Sequence, residues 1–192
     1  LYDSLVAMFI IWALYFEVLL VRHLRLDLAL ILGMIIGGGM LTKTNANFAL
    51  ILLPFSLLLF NFKDKQWKMK LKKWVILVLV VAFIANAMYL ILRLSPFFHI
   101  VAEKNLTFIY SFSEWKEHPF TYLWSNLRAM IDWLVTYITI PVLLLVASSF
   151  ALSLRSSKNE GGSFLREKLL LLAWFIVPFI ALAFFGKTIY PR

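Results

Sequence analysis

The chain contains no cysteine, and only 15% of its residues are charged. The missing thiols exclude disulfide scaffolds, cysteine nucleophiles and cysteine-ligated zinc. The scarcity of charge, together with a high apolar content, excludes a soluble globular domain and a disordered tail. Neither a P-loop nor a dinucleotide-binding glycine pattern occurs. What remains is apolar: 62% hydrophobic residues, and a mean hydropathy of +0.87. The formal charge of +9 on so apolar a chain points to basic loops at a membrane surface rather than to nucleic acid.

A membrane-crossing helix needs about 20 apolar residues. Six segments qualify as expectations: 4–22, 28–41, 46–62, 74–94, 131–153 and 169–185. The third carries Pro54 and the sixth Pro178, which a buried membrane helix tolerates. The predicted class is an all-α integral membrane protein, a single transmembrane domain over 1–192 with an outer interfacial helical loop at 95–130. The lysines and arginines gather around 22–25, 63–73 and 155–168. The positive-inside rule assigns those loops to the cytoplasm, and both ends of the chain to the opposite face. The chain opens on Leu1 just ahead of an apolar span and closes on Arg192, and reads as a piece of a longer protein.

Individual segments carry two readings each. Ala29, Gly33 and Gly37 recur every four residues, which permits close helix packing; the alternative is a functional break at Gly37–Gly39. Lys43 lies roughly 24 Å along a helix from Asp27, just short of the hydrocarbon thickness of about 30 Å. It either snorkels or binds an anion such as a lipid phosphate. Glu17 snorkels or pairs with Arg22, or belongs to a proton relay. Asn86 reads as an interhelical hydrogen bonder. Asp3 suits a helix N-terminus through the macrodipole, or serves as a base, metal ligand or sugar-hydroxyl acceptor.

The 95–130 loop holds nine aromatic residues and reads as one or two interfacial helices. Ser111 and Glu114 have capping-box spacing. Pro119 could open another helix, and Phe120, Leu123, Trp124, Leu127 and Met130 form an amphipathic stripe. The loop serves as an aromatic belt, or as a lid over a lipid-facing site. His99 and Glu103, four residues apart, share a helix face, and a pair alone is a thin metal signature. Asn105-Leu106-Thr107 is a glycosylation sequon.

Gly37-Gly38-Gly39-Met40-Leu41-Thr42-Lys43, followed by the apolar span with Pro54, resembles the G-L-x-x-L-T-K … L-L-P stretch of polyprenol-phosphate-dependent GT-C glycosyltransferases. These are the protein O-mannosyltransferase and aminoarabinose transferase kind. Tyr2-Asp3-Ser4, Ser95-Pro96-Phe97, Glu103-Lys104-Asn105, the run from Pro119 to Pro141, and Lys187 with Tyr190-Pro191-Arg192 resemble further short motifs of that family in the same order. The resemblance implies transfer of a sugar from a polyprenyl-phosphate-linked donor to a lipid or protein acceptor on the non-cytoplasmic face. It implies an assisting catalytic role for Asp3. It implies donor-phosphate binding by Lys43, Lys104 and Arg192, with Glu103, Lys187 and Tyr190 in support. The family's principal carboxylate would precede Leu1, so this piece alone is expected to be inactive. No cofactor is certain. A divalent metal is the one candidate, although Glu-Lys stands where the aminoarabinose enzymes carry Glu-His. The rival reading is half of a multi-spanning transporter, with substrate at mid-membrane. A non-catalytic subunit of a membrane complex is a further rival.

Overall fold

The computed structural model describes residues 2–156 and 163–187. The chain forms two compact units, Leu1–Pro96 and Phe97–Arg192.

In the first unit, α1 (Tyr2–His23) and α2 (Leu26–Thr42) form an antiparallel hairpin. Leu24 closes α1 in the left-handed region at φ 49°, where its buried side chain is held. After Lys43 the chain winds through a 3-10 turn (Thr44–Asn47), α3 (Phe48–Leu52) and a second 3-10 stretch (Leu53–Leu59). Pro54 opens that last stretch, where its missing N–H costs nothing. α4 (Trp67–Leu90) then runs into a 3-10 turn, Ile91–Leu94.

The core of this unit lies between α2 and α4. Trp74, Leu77, Val81 and Ala85 are the buried residues of α4, spaced along one face of the helix. Opposite them lie Ala29, Gly33 and Gly37. A Cβ at Gly33 would sit 2.8 Å from Ile84 Cβ, and one at Gly37 would sit 2.9 Å from Met88 Cβ. The small-residue stripe therefore sets the helix approach. α2 runs unbroken through Gly37–Gly39, so the packing reading holds. Ser56 Oγ, itself donating to Leu53 O, accepts from Trp74 Nε1 at 3.2 Å inside this core.

In the second unit, α5 (Phe98–Phe108) and α6 (Phe112–Glu117) precede α7 (Leu123–Ile138), α8 (Ile140–Ser156) and α9 (Ser163–Phe185). The Ser111–Glu114 capping box at the start of α6 is present as expected. Pro119 does not open a helix; it lies in a turn, and α7 begins at Leu123.

Membrane-length helices number three among the described residues: Asp3–His23, Trp67–Leu94 and Leu165–Phe185. Their flanks are apolar and open, with Phe83 72% exposed and Ile11 67% exposed. Such faces are sustained by lipid, not by water. The chain is thus an all-helical membrane protein, but the expected count of six spans is corrected. α2 has 17 residues, about 26 Å of helix, which is short of a bilayer core. The expected 46–62 span is split between 3-10 and α segments around Pro54. The expected 131–153 span is bent by 98° between α7 and α8, and counts at most as a fourth, broken crossing.

The bend has a local cause. In a continuous helix the Pro141 ring would strike the carbonyl of Tyr137. The chain escapes through Thr139 at φ 68°, ψ 150°. Pro178 is accommodated inside an unbroken α9. Among the described residues Asn86 does not bridge helices: its Nδ2 donates to Ala82 O at 2.8 Å, within α4.

Candidate functional site

Lys43 follows the last residue of α2, in extended backbone at φ −161°. Its N–H donates to Gly39 O, which ends the helix. Asp3 stands in the first turn of α1. The hairpin carries these two ends to one place, and Lys43 Nζ donates to Asp3 Oδ1 at 2.5 Å. A carboxylate at a helix N-terminus and an ammonium at a helix C-terminus each suit the local dipole. The Asp3 side chain is 61% exposed and that of Lys43 29% exposed, so the pair opens outward. Two residues that the sequence singled out separately are thereby joined, and the anion beside Lys43 in this structure is a carboxylate of the same chain.

At the other end of α1, Glu17 does not reach an interface by snorkelling. It is 1% exposed, on the stripe of α1 that also buries Ala13, Leu20 and Val21.

Glu103 and Lys104 lie on α5 and are exposed; the Glu103 carbonyl accepts from Thr107 Oγ1. Lys187 is engaged in the second unit. Its Nζ donates to Glu114 Oε1 at 2.9 Å and to Leu106 O at 3.0 Å, and lies 5.4 Å from the centre of the Tyr110 ring. Tyr190 and Arg192 lie outside the described residues. No group of three or more His, Cys, Asp or Glu side chains gathers to hold a metal among the described residues.

The setting of Lys187 combines the Ser111–Glu114 cap with residues that the sequence reading left aside. The chain after α9 pairs with the chain after α5: Tyr110 N donates to Phe185 O, Lys187 N donates to Phe108 O, and Ile109 faces Gly186 in an antiparallel bridge. Asn126, 5% exposed on α7, donates through Nδ2 to Ala183 O and Gly186 O. It thereby satisfies carbonyls at the C-terminal end of α9. Trp115 stacks on Phe185. Glu114 also accepts from Ser111 N and Oγ. The Lys187 ammonium, followed by the Ser111 donors, holds the Glu114 carboxyl down at about 2. Asn126 had a detectable signal, an amide interrupting the apolar side of the α7 stripe. The bond from Glu114 to Lys187 had none beyond opposite charge.

No family model, curated protein or solved structure matches the chain.

Proposed function

We propose that the chain is the membrane part of a GT-C glycosyltransferase, moving a sugar from a polyprenyl-phosphate donor to a lipid or protein acceptor on the non-cytoplasmic face. The observation that carries this reading is the Asp3–Lys43 ion pair. The two residues that the family resemblance assigns to catalysis and to the donor phosphate meet at the open end of the α1–α2 hairpin. The sidedness has its own support: Arg22, Arg25 and the lysines of 63–73 follow the opposite end of α1 or precede the apolar part of α4.

In such a transfer the acceptor hydroxyl gives its proton to a carboxylate base, its oxygen bonds to the sugar C1, and the C1–O bond to phosphate breaks. The phosphate leaves with the electron pair. A Lys43 ammonium beside that oxygen offsets the developing charge, and Asp3 orients the ammonium. The family resemblance also implies donor-phosphate roles for Lys104 and Arg192, with Glu103 and Tyr190 in support. Lys187 contributes shape, since Glu114 and Leu106 O already engage its donors.

The test is release of label from radiolabelled polyprenyl-phosphate sugars by the full-length protein in detergent. Lys43→Ala should cut turnover roughly 10²-fold, as loss of one preorganised charge does. An exposed ion pair contributes only about 0–1 kcal/mol to stability, so unfolding should move little. Asp3→Asn should also slow release. Near-normal turnover in Lys43→Ala removes Lys43 from the mechanism.

A transporter is the second reading. The 98° break at Thr139 and the buried Glu17 are features that solute-binding membrane folds use. Tight binding of a soluble solute, without label release from any donor, would favour it.

A further inference from the structure

We propose that α7 lies along the bilayer surface as an in-plane helix, with lipid against one strip of it and water against the next. This inference does not rest on the transfer reaction.

At about 100° of rotation per residue, Ile138, Ile131, Trp124 and Val135 fall on a strip roughly 60° wide. All four are exposed. Asp132, Ser125 and Thr136 fall on a second strip, centred roughly 110° away, and are exposed as well. Arg128, also exposed, lies between the two. Ser125 and Thr136 return their hydroxyl hydrogens to nearby backbone, at Tyr122 O and Asp132 O. Asp132 and Arg128 bring charge to the open surface. The remaining side of α7, with Asn126 buried and Trp133 and Leu134 half-buried, packs inside the unit. Of the α7 residues in the stripe legible in the sequence, only Trp124 is exposed; Leu123, Leu127 and Met130 are half-buried.

The apolar strip runs roughly 21 Å along the helix and the polar strip roughly 16 Å, side by side. Were α7 to cross the bilayer, its charged side would pass through hydrocarbon, where charge is expensive. Were it to stand in water, the apolar strip would be wet along its whole length. An axis in the interfacial plane gives each strip its own solvent.

Packing within the unit places α7 at that level. Asn126 Nδ2 donates to Ala183 O and Gly186 O, at the C-terminal end of α9, a helix of membrane length. The Phe120 and Phe184 rings meet edge-on at the same end. The 98° bend then turns α8 away from the α7 axis. Lys168 Nζ, near the N-terminal end of α9, donates to Ser149 O and Oγ at 3.0 and 2.9 Å, so α8 runs alongside α9 through the bilayer. α8 exposes Leu144 and Val146, roughly 200° apart around its axis. Apolar surface on opposite flanks suits a helix in hydrocarbon, in contrast to α7. Residues 131–138 therefore belong to the surface, and Arg128 at the boundary between the strips reaches the lipid phosphates.

The experiment places single nitroxide labels on the full-length protein, freed of other cysteines and held in nanodiscs of phosphatidylcholine and phosphatidylglycerol. Trp124→Cys, Ile131→Cys, Val135→Cys and Ile138→Cys label the apolar strip; Ser125→Cys, Asp132→Cys and Thr136→Cys label the polar one. Every position is exposed, so no label displaces a buried side chain. Depth is read from the ratio of collisions with oxygen to those with a water-soluble nickel chelate. The four apolar-strip labels should share one level, about 5–10 Å into the bilayer, and the polar-strip labels should meet the chelate freely. A crossing helix would instead step about 1.5 Å per residue and separate positions 124 and 138 by roughly 21 Å in depth. That gradient would overturn the proposal in favour of a spanning α7. Equal chelate access on the two strips would overturn it as well, in favour of a helix held off the bilayer.

Discussion

Lys187 and Glu114 are joined at 2.9 Å across 73 residues of chain. The contact fixes the chain after α9 against the capped start of α6, and the aromatic stack of Trp115 on Phe185 lies beside it.

That contact has a pH signature. The Glu114 pKa falls from an ordinary 4.5 to about 2 on folding, because Lys187 and Ser111 donate to the carboxylate. A lowered carboxyl pKa contributes stability that is fully present above the unfolded value. It is lost as pH falls through the interval from 4.5 toward about 2. The unfolding temperature of the wild type should therefore drop across that interval. Glu114→Gln should be less stable at neutral pH and should show a shallower drop. Parallel pH profiles for the two proteins would remove Glu114 from the acid response.

The glycines of α2 should separate by what faces them. Gly33→Ala drives a methyl to 2.8 Å from Ile84 Cβ and 3.1 Å from Val81 O, neither of which swings away. A loss of about 1–3 kcal/mol is expected, typical of overpacking. Gly38→Ala meets the far edge of the Phe9 ring at 3.0 Å. That ring can shift, and alanine gains about 1 kcal/mol of helix propensity, so the change should be near neutral. Thermal unfolding of both variants in one detergent compares them directly; equal losses would contradict the packing account.

Thr139 should be the rare residue whose replacement by glycine stabilises. Its φ of 68° and ψ of 150° fall where essentially only glycine is relaxed, at a cost of about 1–3 kcal/mol. Thr139→Gly should raise the unfolding temperature, whereas Thr139→Ala, which keeps a Cβ, should not. A lower stability for Thr139→Gly would locate the constraint in side-chain packing instead.

The sequence carried the helical class, the small-residue stripe and the Ser111 cap, because each depends on residues close together in the chain. Gly33 and Gly37 read as packing residues since helical spacing alone puts them on one face. The Thr139 break was missed because hydropathy continues smoothly through Ile138 and Ile140, while the obstacle is the geometry of Pro141. The third apolar run hid its 3-10 winding for a similar reason: composition reports burial, not rise per residue. Asp3 and Lys43 were each legible as charges at span ends. Their partnership depends on the hairpin, which no local pattern encodes.

The bridge between Ile109 and Gly186 also imposes an order on assembly. At translation speeds of about 5–20 residues per second, the 73 residues separating Glu114 from Lys187 take roughly 4–15 s to make. Through that interval α5 and α6 exist without the backbone bridge and lysine that hold them. A helix pair that exposes Phe108 and Phe112, waiting seconds for its tether, has time to settle on the bilayer surface before α9 arrives to lock it.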